Sequence, residues 1–577
     1  MSLSTALLLT LCAAIPTQTR GTQDPLAGIW SGAIEAPGGP LETSFHIEAD
    51  GQGGWTGSAD TPAQYVWGLP LVSVELEGGR EVAFVMGHAR YEGVLDPDRR
   101  KLAGHWQQGG REVKFDLVWS PPPPALDAAL GAALTGTWEG SLAAGAVELR
   151  IVLQLARDER GLLRGHMKSP DQTPLEFAVT RTDVLGEGRL RIAIGTLGAS
   201  FEAALAEDGA ELAGDFLQGA AKLPLTLIKV AAESVVRRPQ TPQPPFPYRS
   251  EEVGYRNEAD DVTLAGTLTL PEGEGPFAAA LLITGSGGQD RDETIFQHKP
   301  FWVIADHLTR HGIAVLRVDD RGVGGTTAGR EPGSATTADF ARDVAAGVAF
   351  LAARAEVDAA RIGLIGHSEG GVIAPLVARD HGGVAFLVLL AGTGVRGDAL
   401  LVMQAEALAR AEGLAGEELA AVVETQRRLL ALLVDDQLSE DERRVRMRAL
   451  LEAAPQISAG DDAQGEIALA LSQVESPWLR WFVRHDPAPV LAAVHVPVLA
   501  LNGRLDLQVP WEPNLGAIAA ALEQAGNEDV SVRDLPGLNH LFQHCQTGQV
   551  AEYGRIEETL APEVLELLSS WIVERFR

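Results

Sequence analysis

The sequence predicts a C-terminal α/β domain on a mostly parallel eight-stranded sheet with a helical cap, preceded by two small all-β modules. Three observations carry this. From about residue 250 short apolar runs alternate with helical stretches, the mark of βαβ units. Before that point, runs of alternating apolar and polar residues are punctuated by glycine and aspartate at turn spacing. Between the pieces lie proline clusters, Pro121 to Pro124 and then Pro239, Pro242, Pro244, Pro245 and Pro247; proline lacks an amide donor and stiffens the chain, so such runs make spacers. The 577 residues exceed what one core serves, and a hydrophobic share of 45% is that of a globular protein.

The two all-β modules, placed at 25–119 and 133–230, read as copies of one unit. LAGIWSG at 26–32 matches LTGTWEG at 134–140, and LAGHWQQG at 102–109 matches LAGDFLQG at 212–219, a repeat of about 110 residues. Val147 to Leu155 and Leu190 to Ile194 alternate as strands do. Trp30, Trp106 and Trp138 are expected to fill β cores rather than to stack on a sugar. A proline-rich linker at 239–249 leads into the α/β domain, 250–577.

A formal net charge of −31 repels nucleic-acid phosphate and anionic lipid, which excludes both as partners. Two cysteines, Cys12 and Cys545, rule out a disulfide framework or a cysteine-rich metal site. Residues 6–16, ALLLTLCAAIP, have the length of a signal-peptide core followed by small residues. Residues 1–20 are therefore read as an export signal, with a periplasmic or extracellular protein as its product. Leu11 before Cys12 does not suit a lipid anchor, and no other run reaches membrane-spanning length. No membrane insertion of the mature protein is expected.

Within the α/β domain the strand candidates are Ala278–Thr284, Ile313–Val318, Arg361–Gly366, Val384–Leu390, Val496–Asn502 and Asp529–Asp534. Helices fit at Phe301–Arg310, Ala338–Arg354, Gly371–Arg379, Leu515–Ala525 and Pro562–Phe576. Residues 395–488 form a connection far too long for a loop and contain helical stretches such as Leu400–Glu412 and Glu417–Leu433. An insertion of that size is expected to cap the sheet edge where the site sits.

The chemistry begins at Gly366-His367-Ser368-Glu369-Gly370, a G-x-S-x-G match that is weak alone. Its context is not weak: an apolar strand runs directly into it and a helix follows at once. A serine on such a turn sits exposed at the carboxyl edge of the sheet, next to a helix N-terminus that offers free amides. A serine hydroxyl needs a base to take its proton, and the base needs a carboxylate to fix its tautomer. In the required chain order, Asp506 follows a buried strand in GRLDLQVP (503–510), and His540 follows the last strand in GLNH (537–540). Ser368 is thus the candidate nucleophile, His540 the general base and Asp506 the orienting acid.

Competing residues fit less well. His544 is expected to face solvent or pack on the following helix, and His367 to point away from the nucleophile, under the cap. His485 and His495 precede a strand and serve structure. Asp380 falls at the opposite sheet edge, and Asp398 comes too early in the chain. An oxyanion hole needs two backbone amides. Glu369 supplies one and Ser286, ahead of Gly287, the other, from the glycine-rich loop 285–292. The Glu369 side chain is expected only to complement the helix dipole.

These pieces together, GSGGQDRD (285–292), DDRGVGGT (319–326), GHSEGG (366–371), PWLRWFVRHDP (477–487), GRLDLQVP and GLNH, resemble bacterial α/β-hydrolases of the carboxylesterase and serine-aminopeptidase-like group. The resemblance spans nearly all of 250–577. It implies the α/β-hydrolase fold, a metal-free mechanism and a helical cap, often with an export signal and an extra N-terminal domain. Thr284-Gly285 stands where the family more often has His-Gly. Asp320 and Arg321 are expected to be structural ion-pairing groups. The leading functional reading is hydrolysis of small carboxylic esters through an acyl-enzyme. The alternatives are a serine peptidase acting on short peptides, with Glu406, Glu412 or Asp461 binding an amine, and a binding protein with a vestigial site. No zinc motif, phosphate loop or dinucleotide fingerprint is present, so no cofactor is expected.

Overall fold

The computed structural model describes residues 26–576 except 37–38, 62–65, 122–125, 145–146, 158–161, 173–174, 235–236, 330–332, 455–466, 468–469, 472–473 and the single positions 88, 99, 109, 187, 220 and 475. The expected export signal at 1–20 lies outside the described residues, as does most of the first proline cluster. Two compact units divide the chain: 1–138, 153–167 and 176–231 in one, and 139–152, 168–175 and 232–577 in the other. Among the described residues no helix is long and apolar enough to cross a membrane.

Two β sheets share one strand order. The first has ten strands between Gly28 and Ser120, the second nine between Gly136 and Val230. In each, the first strand pairs with both the second and the last, the closure that an internal repeat predicts. The repeated L-x-G-x-W motif has one physical meaning in both copies. The indole of Trp30 donates to the Leu26 carbonyl and that of Trp138 to the Leu134 carbonyl, both at 2.8 Å, and both rings are fully buried. Burying an indole requires a partner for its N–H, and the chain supplies it four residues upstream. Gly28 and Gly136 adopt φ of 141° and 138°, a conformation that only glycine takes without strain. Trp30 and Trp106 sit in an aromatic core with Phe45, Phe84, Tyr91 and Phe115. The tryptophans are core residues, as their pattern implied.

The C-terminal sheet has eight strands: β1 (Arg249–Asn257), β2 (Val262–Leu270), β3 (Phe277–Ile283), β4 (Ala314–Val318), β5 (Val357–His367), β6 (Phe386–Leu390), β7 (Val498–Gly503) and β8 (Val530–Leu535). Their order is β1-β2-β4-β3-β5-β6-β7-β8. The pairs from β4 to β8 are parallel, while β2 pairs antiparallel with both β1 and β4. The sheet is therefore mixed. The period of two sends Ala279, Leu281 and Ile283 of β3 to one core and Ala280 and Leu282 to the other. Helices α1 (Pro300–Arg310) and α9 (Pro562–Phe576) cover one face; α2 (Thr337–Ala352), α3 (Gly370–Asp380) and α8 (Trp511–Gln524) cover the other.

Between β6 and β7 the chain forms α4 (Gly397–Ala411), α5 (Gly416–Val434), α6 (Glu440–Glu452) and α7 (Pro477–Arg484). These helices have a small core of their own around Leu429, Leu433, Met447, Leu451 and Val483. Helix α6 is charged at most of its positions and starts at a Ser439–Glu442 capping box, which satisfies two orphan groups at its N-terminus.

Gly363 of β5 shows how little room the central strands leave. A Cβ built there would lie 2.2 Å from the Phe386 ring. Gly363→Ala is expected to destabilise the domain by about 1–3 kcal/mol through overpacking, measured as a lower urea midpoint at unchanged m-value.

Candidate active site

The site forms where β3, β5, β7 and β8 end at their carboxyl edge, which in parallel sheets is where loops converge. Strand β5 delivers Ser368 into a tight turn with φ of 53°, a strained left-handed value for a non-glycine residue. The turn is fixed by the Ser368 amide on the Leu390 carbonyl at 2.8 Å and the Gly371 amide on the Ser368 carbonyl at 2.9 Å. Glycines make it possible. A Cβ on Gly366 would lie 2.1 Å from the Gly370 carbonyl oxygen, and one on Gly370 2.3 Å from that of Ile283. Ser368 is half-buried, so its hydroxyl is reachable.

The loops after β7 and β8 bring Asp506 and His540 together. Nδ1 of His540 lies 2.8 Å from Oδ2 of Asp506, and the Asp506 side chain is wholly shielded from water. Its other oxygen accepts from the amides of Gln508 and Val509, both at 2.8 Å. A carboxylate so held only accepts, so Nδ1 carries the proton and Nε2 presents a lone pair. The Leu505 amide joins the two loops by donating to the Leu538 carbonyl at 2.9 Å. Asn539, fully buried, shapes the His540 turn by accepting from the amides of Leu541 and Gln543 at 3.0 and 2.9 Å. Ser368 and His540 share this rim, but no hydrogen bond joins Oγ to Nε2. Such bonds are often long before substrate binds.

Loop 285–293 passes beside Ser368: a Cβ on Gly285 would lie 3.3 Å from that of Ser368. The Gly285 amide is already taken, donating to Oε1 of Glu293 at 2.8 Å. The amides of Ser286 and Glu369 engage no other group among the described residues, which leaves them available to an oxyanion. Asp319 stiffens the loop through the Arg291 amide at 2.9 Å and guanidinium at 2.7 Å.

Several side chains behave differently from the sequence expectation. His367 is not under the cap. Its Nδ1 lies 2.9 Å from Glu293 Oε1 and its Nε2 3.0 Å from the His540 carbonyl oxygen. Neither oxygen can donate, so both ring nitrogens carry protons. Burial disfavours that charge, yet Glu293 outweighs it and raises His367 above the ordinary histidine value. Glu293, buried and strained at φ of 52°, was not singled out from the sequence. Its isolated position in a polar loop gives no signal until the fold sets it under His367.

Glu369 does more than complement a helix dipole. Its Oε1 accepts from Thr337 Oγ1 at 2.6 Å and Trp478 Nε1 at 2.7 Å, tying the turn after Ser368 to α2 and α7. Burial raises its carboxyl above the ordinary range against those two bonds. Asp320 makes no ion pair. It accepts from Thr284 Oγ1 at 2.8 Å and the Gln289 amide at 2.9 Å, and burial pushes it up to about 7. Arg321 does pair, with Asp260 and Asp343.

The rejected competitors stay out. His544 is exposed and bonded to Glu558 and Glu563. His485 stacks on Trp481, His495 is exposed, Asp380 pairs with Arg379 and Asp398 with Arg396. Of the suggested amine-binding groups, Glu406 pairs with Arg410, Glu412 is exposed and Asp461 lies outside the described residues.

Comparison with known proteins agrees with this architecture. A family model described as serine aminopeptidase, S33, matches residues 300–463, which include Ser368. Esterase EstD of Thermotoga maritima is 36% identical over 126 residues, 21% of this chain and 29% of that protein. The chain thus spans less than a third of that relative's length. Among solved structures, the Pyrococcus furiosus esterase Pf2001 matches 60% of this chain and 99% of its own at 15% identity and a TM-score of 0.34. Protein PA2218 of Pseudomonas aeruginosa matches 60% and 100% at 15% identity and a TM-score of 0.36. With its sheet order and its turn at Ser368 the C-terminal domain has the α/β-hydrolase fold, and over part of its length its sequence is similar to the serine aminopeptidase S33 family and to an esterase.

Proposed function

We propose that this protein is a serine hydrolase that cleaves small carboxylic esters through an acyl-enzyme. The buried Asp506–His540 pair carries the reading, because it fixes the one tautomer whose free nitrogen can accept a serine proton. His540 takes the proton of Ser368 as Oγ adds to the ester carbonyl. The amides of Glu369 and Ser286 hold the oxyanion. The imidazolium returns its proton to the leaving alcohol, and the ester bond breaks to leave an acyl-serine. Water, activated by His540 in turn, releases the acid. The identity with an esterase supports an ester rather than a peptide substrate. The serine-aminopeptidase description of the matching family supports the peptidase alternative. Nitrophenyl esters assayed beside aminoacyl nitroanilides decide between them.

Ser368→Ala is expected to lower ester turnover by at least about 10³-fold and to abolish labelling by a fluorophosphonate probe. Full turnover in that variant refutes the assignment. Asp506→Asn, which lets the imidazole take the wrong tautomer, is expected to cost on the order of 10³–10⁴-fold in kcat.

The Glu293–His367 pair joins the loop at Gly285 to the backbone of His540, and we read it as a positioning device. In Glu293→Gln the amide oxygen can still accept from Gly285 and His367 but carries no charge to hold the ring protonated on both nitrogens. The expected result is a tenfold to hundredfold lower kcat, with probe labelling slowed but retained and the near-UV circular dichroism unchanged.

A further inference from the structure

Away from the site, the end of α1 carries His307 and His311, four residues apart, and α9 sets Glu566 beside them. One ligand atom from each of the three lies within 4.8 Å of the others. The imidazole rings are 4.3 Å apart, centre to centre, and tilted by 35°. His307 is half-buried, while His311 and Glu566 are exposed at a groove lined also by Thr309, Arg310 and Ser569.

The protons on these groups are set by their neighbours. Nδ1 of His311 lies 2.7 Å from the His307 carbonyl oxygen, which only accepts, so Nδ1 bears the hydrogen and Nε2 is a lone pair facing outward. Ser569 donates its single hydroxyl proton to the Glu566 carbonyl at 3.2 Å. With that proton so placed, its oxygen, 3.0 Å from Nε2 of His307, accepts, an arrangement that leaves Nδ1 of His307 as a lone pair. Each imidazole is thus anchored through one nitrogen by a carbonyl or hydroxyl and presents the other unprotonated. Metal-ligating histidines are held in this way by their surroundings.

We propose that His307, His311 and Glu566 form a binding site for a divalent transition cation of the zinc class. Two imidazoles and a carboxylate suit such an ion better than magnesium or calcium, which prefer all-oxygen shells. Bond lengths of about 2.0–2.2 Å require ligand atoms to close to roughly 3.3 Å, a movement that rotation of the exposed His311 and Glu566 side chains provides. A fourth position remains for water. The protein's net charge of −31 favours cation binding in general, but only the two histidines make this spot selective. Because α1 leads directly into β4, its end lies at the sheet edge opposite Ser368. The ion would clamp α1 to α9 and would take no part in the chemistry proposed above.

The test is equilibrium dialysis of the full-length protein against zinc chloride, with metal counted by elemental analysis and thermal unfolding followed in parallel. The wild-type chain is expected to bind one zinc equivalent and to gain thermal stability with rising zinc. His311→Ala, at an exposed position, is expected to lose that equivalent and the stabilisation while keeping its circular dichroism, and Glu566→Gln to bind tenfold or more weakly. A wild-type chain that takes up no stoichiometric zinc overturns the proposal, and so does a His311→Ala variant that binds as the wild type does.

Discussion

A carboxylate removed from water is costly unless donors converge on it, and that constraint organises the whole rim of the C-terminal sheet. Four buried acids stand there, and each obtains its donors from a different element. Asp506 takes two amides of its own loop and the ring of His540. Glu293 takes the Gly285 amide and the ring of His367. Glu369 takes Thr337 and Trp478, and Asp320 takes Thr284 and Gln289. Satisfying these groups locks the loop after β3, the turn after β5, the loops after β7 and β8 and the helix α7 into one arrangement. The geometry of the rim follows from where the charges had to find partners.

The four acids do not all end up alike. Those facing a histidine, Asp506 and Glu293, hold a proton on the ring beside them. Those facing only hydroxyl, indole or amide donors, Glu369 and Asp320, are raised by burial because no cation offsets it. The rim therefore combines carboxylates that hold a ring proton with carboxyls whose values burial raises.

The sequence made part of this legible. Ser368 and Asp506 each follow a strongly apolar run and His540 an alternating one, so the position of each after a strand was readable from local pattern alone. The cap was readable because 395–488 is too long to be a loop. Strands β1 and β2 were not named as strands, since Arg249–Asn257 is rich in charged residues and buries little. Their antiparallel pairing makes the sheet mixed. The roles of Glu293, His367, Trp478 and Asp320 were illegible for one physical reason. Each depends on a partner far along the chain, and a buried polar group shows nothing in sequence until that partner is placed. His367 illustrates this well: beside the nucleophile in sequence, it serves the backbone of His540 in space.

Register is what converts these separate partnerships into a single site. In the parallel stack, Gly366 of β5 pairs with Leu389 of β6, Leu390 of β6 with Leu501 of β7, and Gly503 of β7 with Leu535 of β8. The strands thus run out within a few residues of one another, and their loops open on one edge. A one-residue slip of any strand would exchange the residues it sends to the two cores and shift its loop along the edge. The apolar runs buried on both faces forbid that slip, since Leu387, Leu389, Val388 and Leu390 alone feed two different cores. Packing far below the rim therefore holds the distance between Asp506 and His540, and the fold's stability and the geometry of its chemistry rest on the same side chains.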